Sequence, residues 1–291
     1  MDTKELIKKV RKIEIRTRRL SNQIFSGEYH SSFKGRGMAF SEVREYEAGD
    51  DIRSIDWNVT ARLNHPFVKI FQEERELTAM LIVDISGSES FGTKTQFKKD
   101  LITELCAVIA FAAMQNNDKI GLILFSDKIE KFIPPKKGKF HVLRIIRELL
   151  EFKPENTKTD LTQSLKYFTN VIKKKSIAFV ISDFLATNYL DALKITGKKH
   201  DTIAVQIYDE REKEIPNLGL IKIIDSETNE LNWVDTSNEK VRNNYAKWWN
   251  NHQKYLNEAF IKSNVDVIKI RTDESYVVPL MNFFKKRGKR R

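Results

Sequence analysis

The chain has 291 residues, with 51 lysines and arginines against 40 aspartates and glutamates, so its formal net charge is +11. Residues 1–20 hold eight basic and three acidic residues, and 285–291 hold six basic residues and no acidic one, which leaves 21–284 neutral overall. This distribution excludes a uniformly basic nucleic-acid coat, and the longest apolar runs fall short of the roughly 18–20 residues of a membrane-spanning helix.

The N-terminal part predicts one helix followed by a charged, turn-rich extension. Apolar residues of the stretch 3–25 recur at helical spacing, while lysines and arginines cover much of the remaining surface. Residues 40–75 are rich in charges and turn signals, then alternate as a strand would through Val68 and Ile70. We therefore assign 1–76 to an N-terminal helix and a β-rich extension.

From residue 78 onward, short apolar runs alternate with helical patterns, which is typical of βαβ units. Strands are predicted at 78–83, 120–125, 177–182, 202–207 and 265–270, with an edge strand or hairpin partner at 128–133. Helices are predicted at 94–115, 140–152, 161–173, 189–198, 238–263 and 276–284, and a hairpin insertion at about 216–235. The expected α/β domain spans 77–272 and has a mostly parallel sheet with helices on both faces.

The remaining composition points to an intracellular protein without zinc or disulfides. Cys106 lies in an apolar helical pattern and is expected to be a buried structural thiol. The five histidines are far apart and lack the spacing of a zinc site. Without a signal-peptide pattern, the protein is expected in the cytoplasm, with peripheral membrane contact as an option. The C-terminal segment 273–291 is expected to be a helix and a solvated, disordered basic tail.

Oxygen-bearing side chains follow or precede the predicted elements at one edge of the sheet. They are Asp84, Ser86 and Ser88 after the first strand, Thr159 before the helix at residue 161, and Asp183 after the strand 177–182. In an open parallel sheet, ligands bind beyond the carboxyl ends of the strands, so we expect one shared site there. Oxygen ligands without sulfur or imidazole suit a hard divalent cation such as Mg²⁺.

The pattern Asp84-x-Ser86-x-Ser88, together with Thr159 and Asp183, resembles the metal-ion-dependent adhesion site of von Willebrand factor A domains. The resemblance implies that both serines and the threonine bind Mg²⁺ (or Mn²⁺) directly. It also implies that the two aspartates act through waters and hydrogen bonds, and that an acidic residue of a protein partner completes the metal's coordination.

Two alternatives apply to these residues. Lys158 stands where related domains often have glycine, so Thr157 remains an alternative to Thr159 as the ligand. The aspartate and serines after the first strand are also residue types that cap the N-terminus of a helix.

A second motif, within residues 35–62, is similar to the signature of the domain of unknown function 58 family. Its parts are Gly35-Arg36-Gly37, Phe40, Arg44-Glu45-Tyr46, Gly49-Asp50-Asp51, Arg53, Ile55-Asp56-Trp57 and Ala61-Arg62. In that family the segment directly precedes a von Willebrand factor A-like domain, and the gene often lies beside one for a MoxR-type AAA+ ATPase. The resemblance implies a bacterial, non-enzymatic protein-interaction module, an adaptor of such an ATPase in protein maturation or stress response, whose partner is the ATPase or its client.

Other functions fit parts of the sequence less well. The basic ends could attract an anionic membrane or nucleic acid, although no specific nucleic-acid recognition is expected. A metal-dependent phosphatase would need a second aspartate two residues after Asp84, where the chain has Ser86. We further expect Asp50, Asp51 and Asp56, which alternate with Arg53 and Arg62 around Trp57, to form an ion-pair network that docks this segment on the sheet, with contact to a partner as the alternative. The tryptophans 233, 248 and 249 are expected to pack in the core.

Overall fold

The computed structural model describes residues 3–25, 39–72, 77–87, 98–224 and 230–289. The chain forms two compact units: residues 1–32 with 78–291 make the larger unit, and 33–77 make the smaller. The N-terminal helix therefore belongs with the larger unit. Gly35, Gly37 and Ser88 lie outside the described residues, as does the predicted start of a helix at residue 94.

The smaller unit is an antiparallel strand pair joined by short helical segments. Strand β1 (Ala39–Glu45) pairs with β2 (Phe67–Gln72), and between them lie a 3-10 turn (Ile52–Ser54) and helix α2 (Trp57–Leu63). The Asp56 side chain caps α2 by accepting hydrogen bonds from the backbone N–H groups of residues 58 and 59. The helix ends at Asn64, whose φ of 59° is the left-handed conformation common at helix C-termini.

Ion pairs tie the loops of this smaller unit together, but with partners other than those expected. Arg44 pairs with Asp50 at 2.7 Å, and Lys69 pairs with Asp56 at 3.5 Å, in place of the expected Arg53 and Arg62. Trp57 is 67% exposed and is not the centre of the network.

The larger unit contains the six-stranded sheet, and the expected mixed α/β architecture with a mostly parallel sheet is confirmed. The strand order is β10-β7-β6-β3-β4-β5, and β5 alone among these runs antiparallel to its neighbour. The strands are β3 (Thr78–Asp84), β4 (Lys119–Phe125), β5 (Ile129–Lys136), β6 (Ile177–Ser182), β7 (Asp201–Tyr208) and β10 (Asp266–Arg271). The two central strands β3 and β6 are almost wholly buried, as strands covered on both faces must be.

Helices pack on this sheet and on one another. They are α1 (Thr3–Phe25), α3 (Lys98–Gln115), α4 (Lys139–Glu151), α5 (Leu161–Val171), α6 (Leu190–Lys199), α7 (Glu239–Lys262) and α8 (Val277–Lys289). Helix α3 is apolar on nearly all sides and buried, because α1 covers it and links to it through an Arg16–Glu104 ion pair of 2.7 Å. No described helix combines the length and apolar character that crossing a bilayer requires.

The predicted hairpin insertion forms a separate two-stranded sheet of β8 (Leu220–Ile224) and β9 (Leu231–Asp235). Its side chains are largely exposed, and Trp233 is 65% exposed. On α7, Trp249 is buried but Trp248 is 49% exposed. The prediction of three core tryptophans is therefore wrong for Trp233 and Trp248, because no described segment covers the hairpin or the outer face of α7.

The C-terminal helix extends further than the sequence pattern predicts. It runs to Lys289, and Arg287 within it is 6% exposed and ion-paired with Asp201 and Asp266. The expectation of a disordered tail is wrong for residues 285–289, because a buried guanidinium fixes the end of the helix against the two strands that carry its carboxylate partners.

Candidate functional site

Asp84 is the last residue of the central strand β3, and its carboxylate is hydrogen-bonded both to the loop after β3 and to the end of β6. Its carboxylate is 1% exposed. Oδ1 accepts a hydrogen bond of 3.0 Å from the backbone N–H of Ser86, and Oδ2 accepts one of 2.8 Å from Ser182 Oγ at the end of β6. The Ser86 hydroxyl also bonds to this carboxylate. The two strand ends are thereby locked together through one buried acid.

Asp183 follows β6 and brings a second carboxylate to the same edge. It is 4% exposed, and its Oδ1 accepts a 3.1 Å hydrogen bond from the backbone N–H of Leu185. The next residue, Phe184, is fully buried with a φ of +59°. A bulky side chain in the left-handed region is strained, and such strain concentrates at functional sites.

The loop that carries the candidate threonines is attached to this edge by backbone hydrogen bonds. The N–H of Gly87 donates to the carbonyl of Thr157 at 2.8 Å, and the N–H of Asp160 donates to the carbonyl of Ser126 at 2.8 Å. Thr159, which is half-buried, lies between these two attachments. The structure thus places this loop beside the segment of Ser86 and beside the end of β4. Thr157 and Thr159 both remain candidates for the metal ligand.

The two aspartates repel each other electrostatically. Burial, and then the charge of Asp183, raise the pKa of Asp84 to about 7. Two carboxylates buried this close resist being ionised together, because the interior stabilises neither charge as water does. A cation at this edge would remove that conflict.

A buried cation that the sequence pattern does not reveal lies beside the site. Lys98, the first described residue of α3, is fully buried, and its Nζ lies 3.3 Å from Asp183 Oδ2 and 2.6 Å from Glu212 Oε1. Burial raises the pKa of Glu212, and Lys98 opposes that shift. The lysine precedes its partners by many residues and looks like any helix-surface lysine, so no local signal could have revealed it.

Glu212 itself is placed by a short capped turn after β7. The 3-10 turn Glu210–Glu212 carries a capping box, in which Asp209 and Glu212 each accept a backbone N–H from the other end of the turn. Asp209 also accepts a 2.6 Å hydrogen bond from Thr272 Oγ1, and the Glu212 carbonyl accepts one of 2.9 Å from Tyr245 OH. The turn is therefore fixed to both β10 and α7.

Four aromatic rings form a ladder along α7 next to this edge. Consecutive ring centroids of Tyr245, Trp248, His252 and Tyr255 lie 5.6, 5.7 and 6.5 Å apart. His252 Nε2 lies 3.1 Å from the carbonyl oxygen of Phe184, directly after Asp183. Trp248 and Tyr255 are 49% and 43% exposed, so the ladder presents an aromatic surface beside the two aspartates.

The donor set fits a hard cation held partly by hydroxyls. Among the described residues, no three His, Cys, Asp or Glu side chains converge to hold a metal ion by themselves. Serine and threonine hydroxyls would therefore have to supply ligands beside the two aspartates. A small cavity of about 60 Å³ lies at Asp84 and Ser86, and its lining also includes Leu149 and Phe152.

The fold and site define an α/β protein whose polar site lies at the carboxyl edge of a mostly parallel sheet. The chain belongs to the family described as protein of unknown function DUF58, whose profile matches residues 42–255. An uncharacterised protein of Mycobacterium tuberculosis H37Rv is 25% identical over 286 residues, which is 97% of this chain and 90% of that protein. An uncharacterised protein of Bacillus subtilis is 25% identical over 122 residues, or 42% of this chain and 27% of that protein.

Among solved structures, the chain is similar to the conserved hypothetical protein BatB from Bacteroides thetaiotaomicron. The two share 14% sequence identity with a TM-score of 0.45, over 73% of this chain and 99% of the other.

Proposed function

We propose that the larger unit is a von Willebrand factor A-like domain that binds a protein partner through Mg²⁺ or Mn²⁺. The observation that supports this most is the convergence of Asp84 and Asp183, both buried, on the Ser86 loop at the carboxyl edge of β3 and β6. The ligands in this proposal are Ser86, Ser88 and either Thr159 or Thr157, with the aspartates in supporting roles.

The local charge supports a divalent cation. Asp84, Asp183 and Glu212 bring three carboxyl groups to this region, while Lys98 brings one ammonium. Buried charge without compensation is costly, so an additional cation at the edge would stabilise the ionised forms of the acids. Mg²⁺ prefers such oxygen ligands and keeps some coordination positions for water or an incoming ligand.

A partner carboxylate is the expected incoming ligand. A metal held mainly through neutral hydroxyls keeps much of its positive charge, and that charge attracts an acidic side chain. The aromatic ladder on α7 supports a protein as the source of that side chain, because half-exposed Trp and Tyr are enriched at protein interfaces.

The wider role in this proposal is a non-enzymatic adaptor of a MoxR-type AAA+ ATPase, acting in the cytoplasm. Its support is the similarity of residues 35–62 to the family signature rather than the geometry of the site. An alternative phosphatase role for Asp84 is weaker, since both of its oxygens accept hydrogen bonds and Ser86 occupies the position of the required acid.

The test is capture of a co-expressed MoxR-type ATPase by the tagged protein in Mg²⁺ and in EDTA. We expect capture in Mg²⁺, loss in EDTA, and loss with Ser86→Ala. Ser164→Ala is the matched control and should behave as wild type, because this buried hydroxyl bonds only to a carbonyl of its own helix. Capture that survives EDTA, Ser86→Ala and Asp84→Ala alike would show that no metal bridge exists.

A further inference from the structure

A groove between α1 and α4 combines arginines with exposed apolar side chains. Its volume is about 790 Å³. The side chains that define it are Arg11, Ile15 and Arg18 of α1, and Phe140, Arg144 and Arg147 of α4. We call this surface the arginine groove.

The arginine groove carries an excess of positive charge. Glu14 is the acidic side chain that lines it, and Lys139 neutralises it through an ion pair of 2.6 Å. Arg11, Arg18 and Arg144 form no ion pair within the described part of the chain. The groove therefore offers guanidinium groups whose charge its own surroundings leave uncompensated.

Two apolar side chains protrude among these arginines. Phe140 is 88% exposed and Ile15 is 69% exposed, which are high values for large apolar side chains. In a typical peptide-binding groove, the apolar side chains form the floor and the polar ones form the rim. Val10 and Leu143 also line the groove and are half-buried, but Phe140 and Ile15 project outward beside the charges, as side chains that enter the interface of a membrane do.

The groove begins at the edge of the sheet opposite to the candidate metal site and follows the exposed side of α4 as far as Arg147. Strand β5 runs antiparallel to β4, so it ends at the edge where the parallel strands begin, and α4 starts there with Lys139 and Phe140. The far end of α4 contributes Leu149 to the cavity at Asp84. Arg144 and Arg147 are exposed whereas Leu149 is buried, so the groove and the cavity at Asp84 lie on different faces of α4.

We propose that the arginine groove is a docking surface for an anionic phospholipid membrane. The guanidinium groups bind lipid phosphates in the bidentate manner that favours arginine over lysine, and Phe140 and Ile15 insert among the acyl chains. This surface is separate from the basic C-terminal segment and does not depend on the metal site.

The test is co-sedimentation of the full chain with vesicles of phosphatidylcholine containing about 30% phosphatidylserine, compared with phosphatidylcholine alone. We expect binding to the anionic vesicles that weakens steeply as salt is raised. Arg11→Glu/Arg144→Glu should weaken binding at least about tenfold. Phe140→Ser, at an exposed position that the fold does not need, should weaken it about three- to tenfold through lost insertion.

The matched control is Lys213→Glu/Lys222→Glu, which changes the charge equally at exposed positions beyond the end of β7. It should retain wild-type binding within about twofold. Wild-type protein that stays in the supernatant with anionic vesicles would overturn the proposal. An equal loss of vesicle binding in the control variant would also overturn the proposal, as would undiminished binding of Phe140→Ser. Either result would indicate general charge attraction or an acidic macromolecule as the ligand.

Discussion

The ammonium of Lys98 compensates the negative charge of the buried carboxylates near the end of β6. Its ammonium lies between Asp183 and Glu212, and none of the three side chains has substantial access to water. Removing one member of a buried ion pair leaves an uncompensated charge, which costs more than the pair itself contributes. The lysine should therefore matter more to stability than any surface lysine of this chain.

Lys98→Met should lower the free energy of unfolding by about 3–5 kcal/mol, measured by urea denaturation. The double variant Lys98→Met/Glu212→Gln should recover part of that loss of stability, because it removes one of the two carboxylates that the single variant leaves without a partner. Lys99→Met is the control: this neighbouring lysine is exposed and its Nζ bonds a backbone carbonyl. A Lys98→Met variant as stable as the control would contradict the charge balance described here.

His200, which directly precedes β7, makes the stability of the protein depend on pH. Burial lowers the pKa of His200 to about 4, from an ordinary value of 6.5. Its ring packs on Phe168 at 4.4 Å, and Nδ1 lies 3.0 Å from Ser176 Oγ. The folded protein therefore keeps this histidine neutral at a pH where the unfolded chain would protonate it.

The unfolded state binds the extra proton between pH 6.5 and 4. The buried neutral His200 should therefore cost about 3 kcal/mol of stability as the pH falls through that window, and nothing above it. His200→Gln should flatten this part of the pH–stability curve. His65→Gln, at an exposed position, should keep the wild-type slope. An unchanged slope in His200→Gln would assign the acid sensitivity to other groups.

That Asp84 and Asp183 lie at the same edge of the sheet could be predicted, because each stands at the end of an apolar strand and parallel strands end at one edge. Their neighbours could not be predicted. In the sequence, Ser182 looks like any other polar residue at the end of a strand. Its hydrogen bond to Asp84 depends on the register of β3 against β6. The backbone strain at Phe184 likewise has no sequence signal, since phenylalanine rarely occupies the left-handed region.

At the scale of elements, α8 is anchored by one side chain near its end. Arg287 pairs with Asp201 at the start of β7 and Asp266 at the start of β10. The partners are 21% and 43% exposed, so solvent screens part of each interaction. The helix nevertheless depends on this contact, since it ties the C-terminal turn to the sheet.

Arg287→Ala should destabilise the protein by about 2 kcal/mol, because two carboxylates lose their partner and the last turn of α8 loses its anchor. Thermal unfolding followed by circular dichroism would measure the loss. Lys286→Ala, one position earlier and exposed, should change stability by less than about 0.5 kcal/mol. Equal effects of the two substitutions would mean that the segment 285–289 is not held to the sheet.

The helices and strands of the larger unit followed from apolar periodicity, and most boundaries agree within a few residues. The exceptions have physical causes. Helix α8 continues into a basic stretch because the buried Arg287 pairs with carboxylates on two strands that lie far from it in the sequence. Trp233 and Trp248 were expected in the core because large aromatic residues usually bury, but burial depends on a covering element that periodicity does not reveal.

At the scale of the whole chain, the basic residues that give the net charge of +11 have two structural roles. Part of the basic N-terminal end becomes the α1 side of the arginine groove, and Arg287 of the basic C-terminal end becomes an internal ion pair. The proposed metal site lies in the neutral body, where acidic groups outnumber nearby cations. Helix α4 thus presents a basic exposed face, while its buried face reaches the cavity at Asp84.

The most direct test of the proposed site is calorimetric titration of Mg²⁺ into EDTA-treated, dialysed protein. We predict one bound ion per chain, loss of binding in Ser86→Ala and in Asp183→Asn, and wild-type binding in the Ser164→Ala control. Bound metal should also raise the thermal unfolding temperature of wild type but not of the two site variants. The absence of binding at millimolar Mg²⁺ and Mn²⁺, or equal binding by wild type and the Ser86→Ala variant, would contradict a metal site at the end of β3.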